Sequence, residues 1–159
     1  MVSILPLCEK LPVRSFERGA VLLAEGETSG LLYVLIDGEV EILKGEFQIN
    51  TVAEPGAIFG EISVLLGIPH MASVRAATPC RAYLVEGGAG FLQSNTQIAY
   101  ELSKLLAQRL HGVTSYLVDL KRQYEDRDNH FAMIDEVLEA LLQQQRHSFT
   151  PGSDRDSGV

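Results

Sequence analysis

The segment Gly60 to Leu66, GEISVLL, is where residue types and spacing in this chain point to binding chemistry. It lies between Pro55-Gly56 and Gly67-Ile68-Pro69 and reads as one or two helical turns inserted among strands. A short helix that begins at a glycine leaves its first backbone amides without intrahelical partners, and such amides suit an anion. Other chemistries find no support. His70, His111, His130 and His147 stand isolated, so no metal site is expected. Cys8 and Cys80 make neither a disulfide framework nor a zinc set, and Cys80 reads as a small buried hydrophobe. Glu86-Gly87-Gly88-Ala89-Gly90 follows a strand but lacks the third glycine of a dinucleotide fingerprint, and it reads as a loop. No nucleophile with a partnering base is visible, and an enzyme is not expected.

The elements that must hold this segment change character near residue 95. Before it, Leu31–Ile36, Val40–Leu43, Phe47–Val52, Ser73–Ala76 and Arg81–Val85 read as short strands separated by glycine and proline turns. Asp37-Gly38, between two of them, is the strongest short hairpin signal in the chain. Many short strands with regular turns predict a sandwich or barrel. After Ser94-Asn95, which are suitable N-caps, the chain turns helical. Ile98, Leu102 and Leu105 make one apolar stripe, suited to packing on the strands. A second stripe, Leu106, Leu110, Val113, Leu117, Leu120, Tyr124, Arg127, Phe131, Ile134, Leu138 and Leu141, keeps a 4-3 alternation across the polar stretch Asp126 to Asn129. That phase predicts a continuous coiled-coil helix, with two separate amphipathic helices as the alternative.

The stretch Pro55 to Thr78, PGAIFGEISVLLGIPHMASVRAAT, resembles the phosphate-binding cassette of the cyclic nucleotide-binding domain family. That family includes catabolite-activator-type bacterial regulators, protein kinase A regulatory subunits and cyclic nucleotide-gated channels. Phe16 to Ile42 is similar to the family's β-roll, with its Glu-Gly-Glu turn, and Leu106 to Leu110 is similar to the end of its long helix. The resemblance covers about residues 5–120. It implies a mainly β fold with flanking helices (α+β): an antiparallel β-roll, or jelly roll, with a short cassette helix and a long C-terminal helix.

It also implies a ligand set. Glu61 holds the position of the glutamate that grips the ribose 2′-hydroxyl, and Gly60, Ile62 and Ser63 supply amides to the phosphate. A carboxylate accepts a strong hydrogen bond from a hydroxyl, and a helix N-terminus favours a phosphate. The alternative for Glu61 is a glutamate favoured at a helix start by the dipole alone. Where the family carries a phosphate-binding arginine, ten residues after the cassette glycine and following a proline, this chain has His70, and then Met71. Arginine offers a permanent charge and a two-pronged fork, whereas histidine near pH 7 is mostly neutral. Arg75 is a possible substitute, but Val74 and Ala76 should face inward, which points Arg75 outward. Arg109 matches an arginine that bacterial regulators place near the cassette glutamate, or else it is a solvated helix flank. Thr114, with Val113, falls where the family's helix meets the base, often across a dimer.

Composition is compatible with this reading. Hydrophobic residues make up 46% and charged residues 21% of 159, and the formal charge is −8. Residues 1–95 carry 6 basic and 11 acidic side chains, so the electrostatic footprint of a nucleic-acid binder is missing. The longest apolar run, Leu31 to Ile36, is far short of a membrane span, and MVSILPLCEK does not resemble a signal peptide. A cytoplasmic protein is expected. Its parts would be a roll over 1–95 with an N-terminal helical segment, a dimerising helix over 96–146, and a flexible tail over 147–159. Two functions remain open. One is a stand-alone sensor that binds a cyclic nucleotide, cyclic AMP rather than cyclic GMP, weakly because of His70, and signals through its C-terminal helix. The other is a dimerisation and protein-interaction module with a decayed pocket. A homodimer that does not bind DNA directly is expected in either case, because the residues after the resemblance keep a coiled-coil phase or form a tail.

Overall fold

The computed structural model describes residues 4–123 and 132–143. A 3-10 turn at Leu5–Cys8 leads into β1 (Val13–Phe16), β2 (Val21–Leu23), β3 (Leu32–Asp37), β4 (Val40–Lys44), β5 (Phe47–Val52) and β6 (Ile58–Phe59). Then come α1 (Glu61–Leu66), β7 (Ser73–Ala76), β8 (Cys80–Val85), α2 (Gly88–Ser94), α3 (Thr96–Gln123) and α4 (Ala132–Gln143). The strands form two antiparallel four-stranded sheets, ordered β1-β8-β3-β6 and β2-β7-β4-β5. The chain crosses between the sheets at every connection except β4/β5, which is the one hairpin between consecutive strands of a sheet. Inward residues of the two sheets share one core, with Tyr33, Leu35 and Ala82 from one facing Val40, Val74 and Ala76 from the other. Phe16 meets Tyr33 edge-on at 5.5 Å between ring centres.

β3 is buried on both faces. Its Leu32 and Val34 line a small apolar pocket with Ile4, Cys8, Leu92, Ile98 and Leu102, so the 3-10 turn, α2 and the first turns of α3 cover that sheet. The chain accordingly divides into two compact units, Met1–Leu102 and Ser103–Val159.

Three expectations are corrected. First, Asp37-Gly38 is no hairpin turn, because β3 pairs with β6 and β8 whereas β4 pairs with β5 and β7. Glycine is required there for another reason: at φ +88° a Cβ on Gly38 would stand 2.5 Å from the Pro79 carbonyl oxygen and 2.6 Å from Cys80 Cα. The hairpin lies one strand later, where Lys44 pairs with Phe47 across Gly45-Glu46. Second, the glycine-rich segment after β8 is not simply a loop, because Gly88–Ser94 is helical, and Asn95 closes that helix with its N–H on the Phe91 carbonyl. The Asn95 carbonyl then accepts the Ala99 N–H at 3.0 Å and so opens α3.

Third, α3 and α4 are not one straight helix. Lys121 is ion-paired with Asp135, and in a straight helix fourteen positions would separate them by about 21 Å. Tyr124, Arg127 and Phe131 of the predicted seam, and the tail over 147–159, lie outside the described residues.

Candidate functional site

Strand β6, paired with β3 through Tyr33–Phe59 and Val34–Ile58, delivers the chain to Gly60. Gly60 has φ +93°, and a Cβ there would stand 2.3 Å from the Leu31 carbonyl oxygen. Only glycine allows this approach, and it seats the start of α1 against the chain that enters β3. The first intrahelical bond runs from Val64 N to the Gly60 carbonyl, 3.1 Å, so the amides of Glu61, Ile62 and Ser63 precede the ladder. Glu61 and Ser63 are buried, each 5% exposed, while Ile62 faces solvent. Helix α1 ends at Gly67, φ +65°, whose N–H meets the Ser63 carbonyl; the Ser63 hydroxyl donates to the Ile68 carbonyl.

The return segment is fixed just as firmly. His70 N donates to the Glu27 carbonyl and its carbonyl accepts Gly26 N, both at 2.9 Å. Its ring is 5% exposed, with Nε2 2.7 Å from Ser29 Oγ. Burial pushes the His70 pKa down from 6.5, and the Glu27 carboxylate opposes that shift. Ser29 Oγ also accepts Leu31 N at 3.2 Å. Ser29-Gly30-Leu31 therefore touches both ends of the segment, Gly60 through the Leu31 carbonyl and His70 through the Ser29 hydroxyl. The Met71 side chain is exposed, but its carbonyl accepts Lys44 Nζ at 2.7 Å. Lys44 also stands 3.1 Å from Glu25 Oε1, and the Glu25 pKa is lowered chiefly by that bond. Glu25 N in turn donates to Ser73 Oγ at 2.9 Å.

The remaining singled-out residues lie elsewhere. Arg75 is cross-strand from Glu41, with Nε and Nη2 at 2.6 and 2.5 Å from Oε1, as the strand parity predicts. Arg109 and Thr114 are on α3 in the second compact unit, Arg109 exposed and Thr114 half-buried. Ser29, Lys44 and Glu25 escaped the sequence reading. A serine 41 positions before a histidine carries no local signal.

Residues 13–91 match the family model of the cyclic nucleotide-binding domain. The chain belongs to the cyclic nucleotide-binding domain family. It is 31% identical over 124 residues to the CRP-like cAMP-activated global transcriptional regulator of Mycobacterium tuberculosis, covering 74% of this chain and 55% of the relative. It is 28% identical over 72 residues to the cAMP-dependent protein kinase regulatory subunit of Yarrowia lipolytica, covering 45% of this chain and 19% of that one. Among solved structures, a cyclic nucleotide-binding domain from Methylobacillus flagellatus superposes with a TM-score of 0.55 at 25% identity, over 77% of this chain and 68% of the other. The chain spans about half the length of the Mycobacterium regulator. Domains of this family in such regulators and regulatory subunits are regulatory, not catalytic. In this member of the family, a buried His70 stands where the resemblance implied an arginine.

Proposed function

We propose that the chain is a regulatory sensor that binds a cyclic nucleotide at Gly60, Glu61, Ile62, Ser63, His70 and Met71. The observation that carries this reading is the seating of α1. Gly60 is held against the Leu31 carbonyl, the first-turn amides precede the ladder, and the Glu61 carboxylate is buried beside them. Cyclic AMP is preferred over cyclic GMP in this reading, supported by the Mycobacterium relative, which is named as cAMP-activated. Binding is weak, because a buried histidine replaces a charge-assisted contact to phosphate worth about 1.5–3 kcal/mol, roughly ten- to a hundred-fold in affinity. The resemblance adds Arg109 and Thr114 of α3 to the proposed ligand residues. That helix carries the signal, since it is anchored at Ile98 and Leu102 and continues through Gln123.

Homodimerisation belongs to the same proposal, supported by Leu110 and Val113, which are 46% and 54% exposed on the α3 stripe. So does the absence of direct DNA binding, supported by the charge of −8. A cytoplasmic location is supported by Cys8 and Cys80, both free thiols, and is checked by cell fractionation. Isothermal titration of the chain with cyclic AMP and cyclic GMP tests the ligand. Saturable heat that Glu61→Gln removes is expected. A second reading, an interaction module with a decayed pocket, is favoured by one feature: His70 is already buried and bonded to Ser29. The absence of binding by either nucleotide to the folded protein selects it.

A further inference from the structure

Resting on the reading of Gly60 to Met71 as ligand residues, we infer that Lys44 is a positioning residue of that site, clasping the return segment to the turn after β2 and to the β4–β5 hairpin. The strand register puts it there. Leu43 pairs with Ser73 across β4 and β7, and Lys44 pairs with Phe47 at the end of the hairpin. Lys44 Nζ donates to the Met71 carbonyl at 2.7 Å and stands 3.1 Å from Glu25 Oε1. The other Glu25 oxygen accepts Gly45 N at 3.3 Å, and Glu25 N donates to Ser73 Oγ at 2.9 Å. Three stretches far apart in sequence thus meet on one lysine and one glutamate.

The segment needs such a device. Helix α1 closes at Gly67 and β7 begins at Ser73, so residues 68–72 lie in no helix or strand. They are held bond by bond: Ile68 N on the Ser63 carbonyl, His70 N on the Glu27 carbonyl, Gly26 N on the His70 carbonyl, and Lys44 on the Met71 carbonyl. The last is charge-assisted, the stronger kind. It adjoins the two backbone bonds of His70, so its loss frees one end of the stretch that fixes the His70 ring against Ser29.

Glu25 keeps the lysine in place. A lysine side chain loses much rotamer freedom when it is ordered, so a fixed Nζ needs a second anchor. Glu25 Oε1 is shielded from water, and Lys44 is the cation beside it. That bond lowers the Glu25 pKa and so keeps the carboxylate ionised. The Lys44 side chain is 61% exposed, so the pair adds little to global stability and its effect is local order. An ammonium already engaged by a carbonyl and a carboxylate acts on the ligand through Met71, not as the cation of the phosphate.

The test uses the 159-residue chain with Lys44→Met, which keeps the apolar stem, Lys44→Arg, which keeps the charge and the donors, and Glu25→Gln. Amide hydrogen exchange without nucleotide, followed by NMR, reads the clasp itself. In Lys44→Met the His70 and Gly26 amides should exchange about ten-fold faster while the Leu84 amide, bonded to the Pro12 carbonyl, changes less than about two-fold, and Lys44→Arg should restore the original rates. Isothermal titration with cyclic AMP and cyclic GMP reads the consequence: Lys44→Met should bind about five- to ten-fold more weakly, and Lys44→Arg close to normally. Glu25→Gln removes the anion and leaves the cation, so it should weaken binding about three-fold; a lysine serving the phosphate directly would bind the nucleotide more tightly once relieved of Glu25. Glu25→Gln carries the test if Lys44→Met does not fold. Unchanged exchange at His70 and Gly26, or tighter binding by Glu25→Gln, overturns the inference and leaves the cyclic nucleotide sensor standing. No binding of either nucleotide to the unmodified chain overturns both.

Discussion

Replacing Gly60 by alanine tests how the cassette helix is seated, and Gly67→Ala supplies the control. Both glycines have positive φ, +93° and +65°. An alanine at either position therefore carries a left-handed backbone penalty of about 1–2 kcal/mol. The two differ in what the new methyl meets. At Gly67 nothing stands within 4 Å, whereas at Gly60 the methyl would lie 2.3 Å from the Leu31 carbonyl oxygen. That oxygen is backbone and cannot swing aside, so the chain must shift, at an overpacking cost of about 1–3 kcal/mol. Gly60→Ala should thus lose about 2–5 kcal/mol and Gly67→Ala about 1–2. In a unit of about 100 residues, the difference corresponds to a melting-temperature gap of about 5–20 °C. Urea and thermal unfolding followed by circular dichroism read both values. Because Leu31 N also bonds Ser29, which bonds His70, Gly60→Ala should in addition weaken ligand binding more than Gly67→Ala does. Equal losses of stability in the two variants would refute the argument that contact with Leu31, rather than backbone conformation alone, demands glycine at 60.

His70 should make the fold sensitive to acid. Its folded pKa is lowered by burial, so above the ordinary value near 6.5 both states are neutral and stability is flat. Below that value the unfolded chain takes up the proton first, and stability falls until the folded pKa is passed; His70→Gln should flatten this slope, and equal slopes in unfolding titrations between pH 5 and 7 contradict it. Arg75→Gln should cost about 0.5–1 kcal/mol through the lost pair with Glu41 and leave ligand affinity unchanged, whereas a ten-fold affinity loss would put Arg75 in the pocket. Leu110→Lys combined with Val113→Glu should convert a dimer to a monomer in sedimentation at micromolar concentration, and an unmodified chain that is already monomeric ends that proposal. Duplex DNA should show no gel shift at physiological salt with or without nucleotide, so a sequence-dependent shift would overturn the proposed lack of DNA contact.

Several features were legible in the chain because they are local. The periods of Phe47–Val52 and Ser73–Ala76 predict the strands that form, and the glycines bracketing 61–66 bound the helix that forms. Parity along β7 places Arg75 opposite Glu41, away from the buried Val74 and Ala76. The proposed ligand residues from Gly60 to Met71 stand in one short stretch, so the resemblance to the family's cassette singles them out together. Other features depend on what the fold brings alongside. Asp37-Gly38 has the same local signal in a hairpin as in a crossover, and only the approach of Pro79 and Cys80 decides between them. The helix at Gly88–Ser94 has poor propensity by composition. It forms where Gly88 packs so closely that a Cβ would stand 3.0 Å from Leu32 and Val64 side-chain atoms. A 4-3 apolar phase does not by itself tell one helix from two, so the Lys121–Asp135 contact was needed to separate α3 from α4. His70 is visible as a departure at a known spacing, but its burial and its bond to Ser29 arise from chain 41 residues away. Side-chain type is written in the sequence; charge state and partner belong to the environment, and for His70 that environment is assembled only when the β2–β3 loop folds over it.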